Sequence, residues 1–174
     1  MKYLVKFFVV TFLLIVSTHS FAEQKIVVLD MTYVLNNSKA GKGAQDYLQK
    51  TFKQNQKKFS DLEKELKKEE NDLLGKKSTL SQEDYIKKAD ELRNKVNKYQ
   101  ADRRASLDKI AKQRADARAK IISKLEPLLE KYVEENNIAL VIDKKNVVGG
   151  DTDLDITNAI VEKFNKELPS IKIE

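Results

Sequence analysis

Apolar residues fall into several distinct rhythms along the 174-residue chain. Phe7 to Val16 is apolar except at Thr11, follows Lys2 and Lys6, and precedes Ser20 and Ala22 at the positions a signal peptidase reads. That arrangement predicts a secretory signal over 1–22, cut after Ala22. The run is too short for a spanning helix, which needs about 20 apolar residues. Next, Ile26-Val27-Val28-Leu29 is a short β-branched run, which predicts a buried strand. Residues 30–43 form a polar, partly helical lead-in.

From Ala44 to Glu126 there is no proline, and Gly75 is the single glycine, so the stretch is helical with one interruption. Gly75 ends a first helix. Ser81, followed three residues later by Asp84, starts a second. The two form an antiparallel helical hairpin over 44–117. Leu48, Phe52, Phe59, Leu62, Leu66 and Leu73 follow a heptad, with Asn55 and Glu69 filling its empty seam positions. Tyr85, Ala89, Leu92, Val96 and Tyr99 answer in the same rhythm. The seam then continues as Arg103, Leu107, Ile110, Arg114 and Ala117. Heptad placement assigns Phe59, Tyr85 and Tyr99 to seam packing rather than to an exposed contact face.

Dense apolar residues from Ile121 to Val133 mark a better-packed body. Pro127 inside this stretch predicts a kink or a new helix start. Ile138–Ile142 reads as a second strand, 143–146 as a turn and Val147-Val148 as a third strand, making 138–148 a hairpin. Asp155 is expected to cap a last helix carrying Ile156, Ile160, Phe164 and Leu168 on one face. The body thus comprises 23–43 plus 118–174. Three short strands cannot close a barrel or cover their own edges, which predicts an oligomer. The fold class is α+β, mostly α.

Composition narrows the chemistry. The chain has no cysteine and one histidine, His19, which lies in the cleaved segment. A mature chain without either has no thiolate nucleophile, no Cys-based zinc site and no histidine general base. Gly41-Lys42-Gly43 lacks the spacing and the following Ser/Thr of a phosphate loop. Asp151, Asp153 and Asp155 with Glu162 imitate a calcium loop, but Ile156 stands where the sharp turn needs glycine. No enzyme constellation, metal or cofactor is expected. Net charge is +6, and residues 44–117 carry 19 Lys/Arg against 14 Asp/Glu. The positive excess therefore sits on the hairpin. Lys76, Lys77, Lys87 and Lys88 near its turn suit capture of acidic partners. The rest of the pattern suits a solvated, charge-paired helix face.

The terminal blocks are the most specific part: Lys25-Ile26-Val27-Val28-Leu29-Asp30-Met31 at one end, and Asn137 to Asp143, Asn146-Val147-Val148 and Asp155-Ile156-Thr157 at the other. With a signal segment and a basic hairpin between them, the chain resembles the Skp/OmpH family of periplasmic chaperones. The resemblance implies a jellyfish-shaped homotrimer, with a small β-barrel body and three coiled-coil arms around a cavity. It implies an ATP-independent holdase that keeps unfolded outer-membrane proteins from aggregating and delivers them for insertion. On that reading Ile26, Val28, Leu140, Ile142 and Val147 form the trimer core. Some members bind lipopolysaccharide through basic arm residues, for which Arg103, Arg104, Lys112, Arg114 and Lys124 are the candidates here. A structural coiled-coil envelope protein and a polyanion binder are the alternatives. A secreted chain meets little nucleic acid, so none is expected as a partner.

Overall fold

The computed structural model describes residues 25–173; the signal reading of 1–22 lies outside the described residues. Two strands, β1 (Lys25–Leu29) and β2 (Ile138–Asp143), pair in parallel, with Ile26 opposite Leu140 and Val28 opposite Ile142. A parallel pair needs a long crossover. Here the crossover is α1 (Met31–Asn37), α2 (Lys39–Gly75) and α3 (Gln82–Glu135), with α2 and α3 forming the hairpin. A last helix, α4 (Thr157–Glu167), returns to pack against α1 and α3.

The sheet differs from expectation in one element. Residues 138–148 do not form a hairpin: Lys144–Asn146 is a short 3-10 helix, and Val147 follows it outside any strand. The reason is local. The Asp143 carboxylate accepts from the Lys145 N–H at 3.1 Å, which curls the chain where a hairpin would turn it back. The second partner of β1 is instead the segment before α4. Ile156 N–H donates to the Val28 carbonyl at 2.9 Å, and Asp30 N–H donates to Thr157 Oγ1 at 2.8 Å. So β1 is bonded along both edges, and β2 keeps an open outer edge among the described residues.

Strand alternation sorts the side chains. Val27 and Leu29 point into a core with Leu125, Ile160 and Phe164, all of them buried. Each such side chain contributes about 1.5–3 kcal/mol of burial. The opposite face holds Ile26, Val28, Leu140 and Ile142, none of them buried.

Helix ends follow their caps. The Asp30 carboxylate accepts from Tyr33 N–H at 2.7 Å and opens α1. Ser38, fully buried, closes α1 and opens α2 by accepting from Gly41 N–H at 3.1 Å. Ser81 Oγ accepts from Asp84 N–H at 3.1 Å, the N-cap the spacing implied, and donates to the Asp84 carboxylate at 2.7 Å. Asn137, at φ 52°, turns the chain out of α3. Two expectations need correction. Helix α3 runs on through Pro127, so no new helix starts there, and the ring sits on the exposed side, away from the buried Leu125 and Leu128. The N-cap of α4 is Ile156 rather than Asp155, although the Asp155 carboxylate still accepts from Thr157 N–H at 2.9 Å.

Two predictions follow from these joints. A Cβ at Gly41 would overlap the Leu35 carbonyl oxygen, whereas one at Gly43 would meet nothing within 4 Å. Gly41→Ala should lower stability by about 1–3 kcal/mol. Gly43→Ala should raise it by about 0.5–1 kcal/mol. Urea unfolding at fixed protein concentration separates the two, and equal effects would refute the tight joint. The second concerns Asp155. Burial alone would raise its pKa, but hydrogen bonds from Lys144 and Thr157 outweigh that and hold it below the ordinary carboxylate value. A depressed folded pKa contributes stability that is whole above the unfolded value of about 3.9 and is lost as pH falls through the folded one. Asp155→Asn should therefore destabilise the protein at neutral pH. The gap between the two proteins should shrink in pH-dependent urea titrations below about pH 4. A gap that persists in acid would contradict the assignment.

Candidate functional site

The seam of the hairpin decides which of its side chains are left outside. Leu48 and Phe59 on α2 and Ile110 and Ala117 on α3 are buried; Leu62, Leu66, Leu73, Tyr85, Leu92 and Val96 are half-buried. Phe59 meets Tyr99 edge-on at 6.0 Å, which is the seam packing expected of both. Beyond Arg103 the seam departs from the apolar reading. It runs through Ser106 and Gln113, not Leu107 and Arg114, which are exposed. The heptad takes its three-residue step regardless of polarity. Asn55 then finds a partner: its Nδ2 donates to Ser106 Oγ at 2.7 Å, forming a polar layer inside the seam. Phe52, placed in the seam by its spacing, is 42% exposed, and Leu107 is 49% exposed.

The cations divide into three groups. Lys76 and Lys77 lie in the turn between the helices, and Lys87 and Lys88 lie in the second turn of α3, so all four sit at the hairpin's tip and are exposed. Among the described residues none of the four pairs with a carboxylate. Arg103 and Arg114 share one side of α3, about 20° apart around the helix, while Arg104 and Lys112 face elsewhere. Lys112 pairs with Asp116 one turn on, and Lys124 lies beside the body. The structure thus gathers the tip lysines and spreads the other five along and around α3. Elsewhere the hairpin is laced with exposed pairs such as Lys57–Asp61 at 2.6 Å and Lys95–Glu69 at 2.7 Å. The hydrogen bond between the first two lowers the Asp61 pKa and raises that of Lys57. Exposed pairs of this kind add little stability.

A third cationic group joins Arg114 to Lys42 and Arg118, neither of which was singled out as a cationic site in the sequence. Where α1 meets the foot of the hairpin there is a groove of about 820 Å³. Lys42, Arg114 and Arg118 line it, together with Asn36, Gln45 and Gln49. Leu48, Phe52 and Ala117 form its apolar floor. The i,i+4 spacing of Arg114 with Arg118 and of Gln45 with Gln49 is the signal that places each pair on one helix side.

The apolar sheet face is the other exposed feature. Ile26 is 46% and Leu140 52% exposed, while Val28, Ile142 and Val147 are half-buried. Among the described residues there is no cluster of three or more His, Cys, Asp or Glu side chains placed to hold a metal ion. Asp151 instead caps the short 3-10 helix Thr152–Leu154, and Asp155 is held by Lys144 at 2.7 Å. No helix among the described residues is long and apolar enough to cross a membrane.

Comparison with known proteins fits this architecture. A protein named Skp-like protein, from Pseudomonas aeruginosa, is 26% identical over 166 residues, covering 95% of this chain and 99% of the relative. A solved structure from Caulobacter crescentus CB15, described as an OmpH-like outer membrane chaperone, matches with a TM-score of 0.81 over 91% of this chain and 94% of that one. Its identity is 18%, so this likeness concerns the fold. Residues 25–164, from β1 into α4, match the family described as outer membrane protein (OmpH-like), and the chain belongs to that family.

Proposed function

We propose that the protein is an ATP-independent periplasmic holdase, secreted through a cleaved signal over 1–22. It works as a homotrimer that keeps unfolded outer-membrane proteins from aggregating and delivers them for insertion. The observation that carries this reading is the placement of a long, thin, cation-rich hairpin on a body whose apolar sheet face a single chain leaves uncovered. Ile26, Val28, Leu140 and Ile142 supply that face, and the open edge of β2 lies beside it. Val147, just outside the strands, extends it. Joining three copies there would root three hairpins at one hub. Helix α2 has 37 residues, about 55 Å at 1.5 Å per residue, so three hairpins would enclose a client-sized space.

Such a cage needs no chemistry and no nucleotide. It holds a client through many weak contacts, and charge speeds the encounter more than it strengthens the complex. The tip lysines Lys76, Lys77, Lys87 and Lys88 carry that steering. A structural envelope role would use the same hairpin but would leave client aggregation unchanged.

The test is light scattering during refolding of a denatured outer-membrane β-barrel, without ATP, with and without the mature protein. Suppressed aggregation near one trimer per client supports the reading, and unchanged aggregation contradicts it. Replacing all four tip lysines by Gln should slow association with acidic clients at low salt several-fold. The difference should fade as salt shortens the Debye length to about 10 Å at 0.1 M and below. An unchanged rate would show that these charges only solvate the tip.

A further inference from the structure

The groove at the hairpin's foot has a one-sided charge. Lys42, Arg114 and Arg118 line it, no carboxylate does, and among the described residues none of the three is in an ion pair. Its floor is apolar, and Phe52 there is 42% exposed. Such a groove suits an extended segment with carboxylates and an apolar side chain.

The chain itself carries one. Between Asp143 and Asp155 it leaves the sheet and returns to it. Lys144 and Lys145 are neutralised locally, by Asp155 at 2.7 Å and Asp143 at 3.1 Å. What remains, Val147 to Leu154, has two unpaired carboxylates, Asp151 and Asp153, and no cation. Val148 is exposed over its whole surface and Leu154 is 37% exposed. A Cβ at Gly149 or Gly150 would meet nothing within 4 Å, so the loop lies against nothing in its own protomer there.

Symmetry joins the two observations. A ring of three identical chains cannot use one patch against itself; each contact must join two different patches. A basic groove and an acidic, apolar loop on the same chain are two such patches.

We infer that, in the trimer, the 148–154 loop of each protomer docks into the groove of the next, closing the ring. This rests on the trimer proposed above. Asp151 and Asp153 accept hydrogen bonds from the Arg114 and Arg118 guanidiniums, and charge-assisted pairs of this kind are the stronger class. Val148 covers Leu48 and Phe52. Gln49, and the remaining donors and acceptors of Asn36 and Gln45, which bond each other at 2.9 Å, serve the loop's exposed peptide groups around Gly149-Gly150.

The absence of cysteine makes the test clean. The full mature chain carrying Gln49→Cys and Val148→Cys is treated with a short bismaleimide, and its mass is measured beforehand by sedimentation. Covalent dimers and trimers on a denaturing gel are expected. Arg114→Glu with Arg118→Glu should cut their yield at least tenfold. Adding Asp151→Lys with Asp153→Lys should restore it. A trimer by mass without cross-linking, a link formed within one chain, a yield indifferent to the charge reversals, or Gln49→Cys linking to an added unfolded client instead would each overturn the docking and leave the trimer standing. A monomer by mass would overturn both.

Discussion

The pairing of β1 with β2 is the constraint on which the rest of the molecule depends. It joins residues more than a hundred positions apart, Ile26 with Leu140 and Val28 with Ile142. Because the pair is parallel, everything between must leave the sheet and come back to the strand's starting end. The hairpin is therefore an excursion whose two feet are clamped by one strand pair, and its direction is set by the body. The same pairing sorts the apolar side chains. Val27 and Leu29 are covered by helices of their own chain, while Ile26 and Leu140 are left outside. The proposed need for other copies and the fixed root of the hairpin thus have one origin.

The hairpin itself is held by little. Its seam is one side chain wide, interrupted by the Asn55–Ser106 layer and by buried Gln113. A polar residue at a seam position fixes register at a cost in stability, and the exposed ion pairs around it return little. Deep burial is concentrated at the foot, from Ile110 to Ala117 against Leu48, and falls away toward the turn at 76–80. Stability graded in this way lets the outer hairpin open locally while the body stays folded. That suits the role proposed above, in which the arm accommodates clients of different size.

Much of this was legible in the residues. The seam rhythm from Leu48 to Leu73, Phe52 and Glu69 excepted, and from Tyr85 to Tyr99, the Ser81 cap and the apolar face of α4 follow from spacing and cap chemistry that act within one or two turns. What was not legible depends on distant partners. That the segment before α4, rather than Val147-Val148, joins the sheet rests on Ile156 bonding to Val28 from the far end of the chain. The seam beyond Arg103 was misplaced because apolar Leu107 stood next to the true position, Ser106. The foot groove was invisible for the same kind of reason: Lys42 on α2 and Arg118 on α3 meet only once the hairpin closes and α1 packs beside it.

The central claim is that a single chain is structurally incomplete and is finished by copies of itself on the uncovered sheet face. The most direct test is sedimentation equilibrium of the mature chain beside one carrying Ile26→Asp and Leu140→Asp, with circular dichroism to follow folding. The account predicts three chain masses for the unaltered protein and a dissociated, still helical chain for the variant. A folded monomer from the unaltered protein, or a variant that remains trimeric, would contradict it.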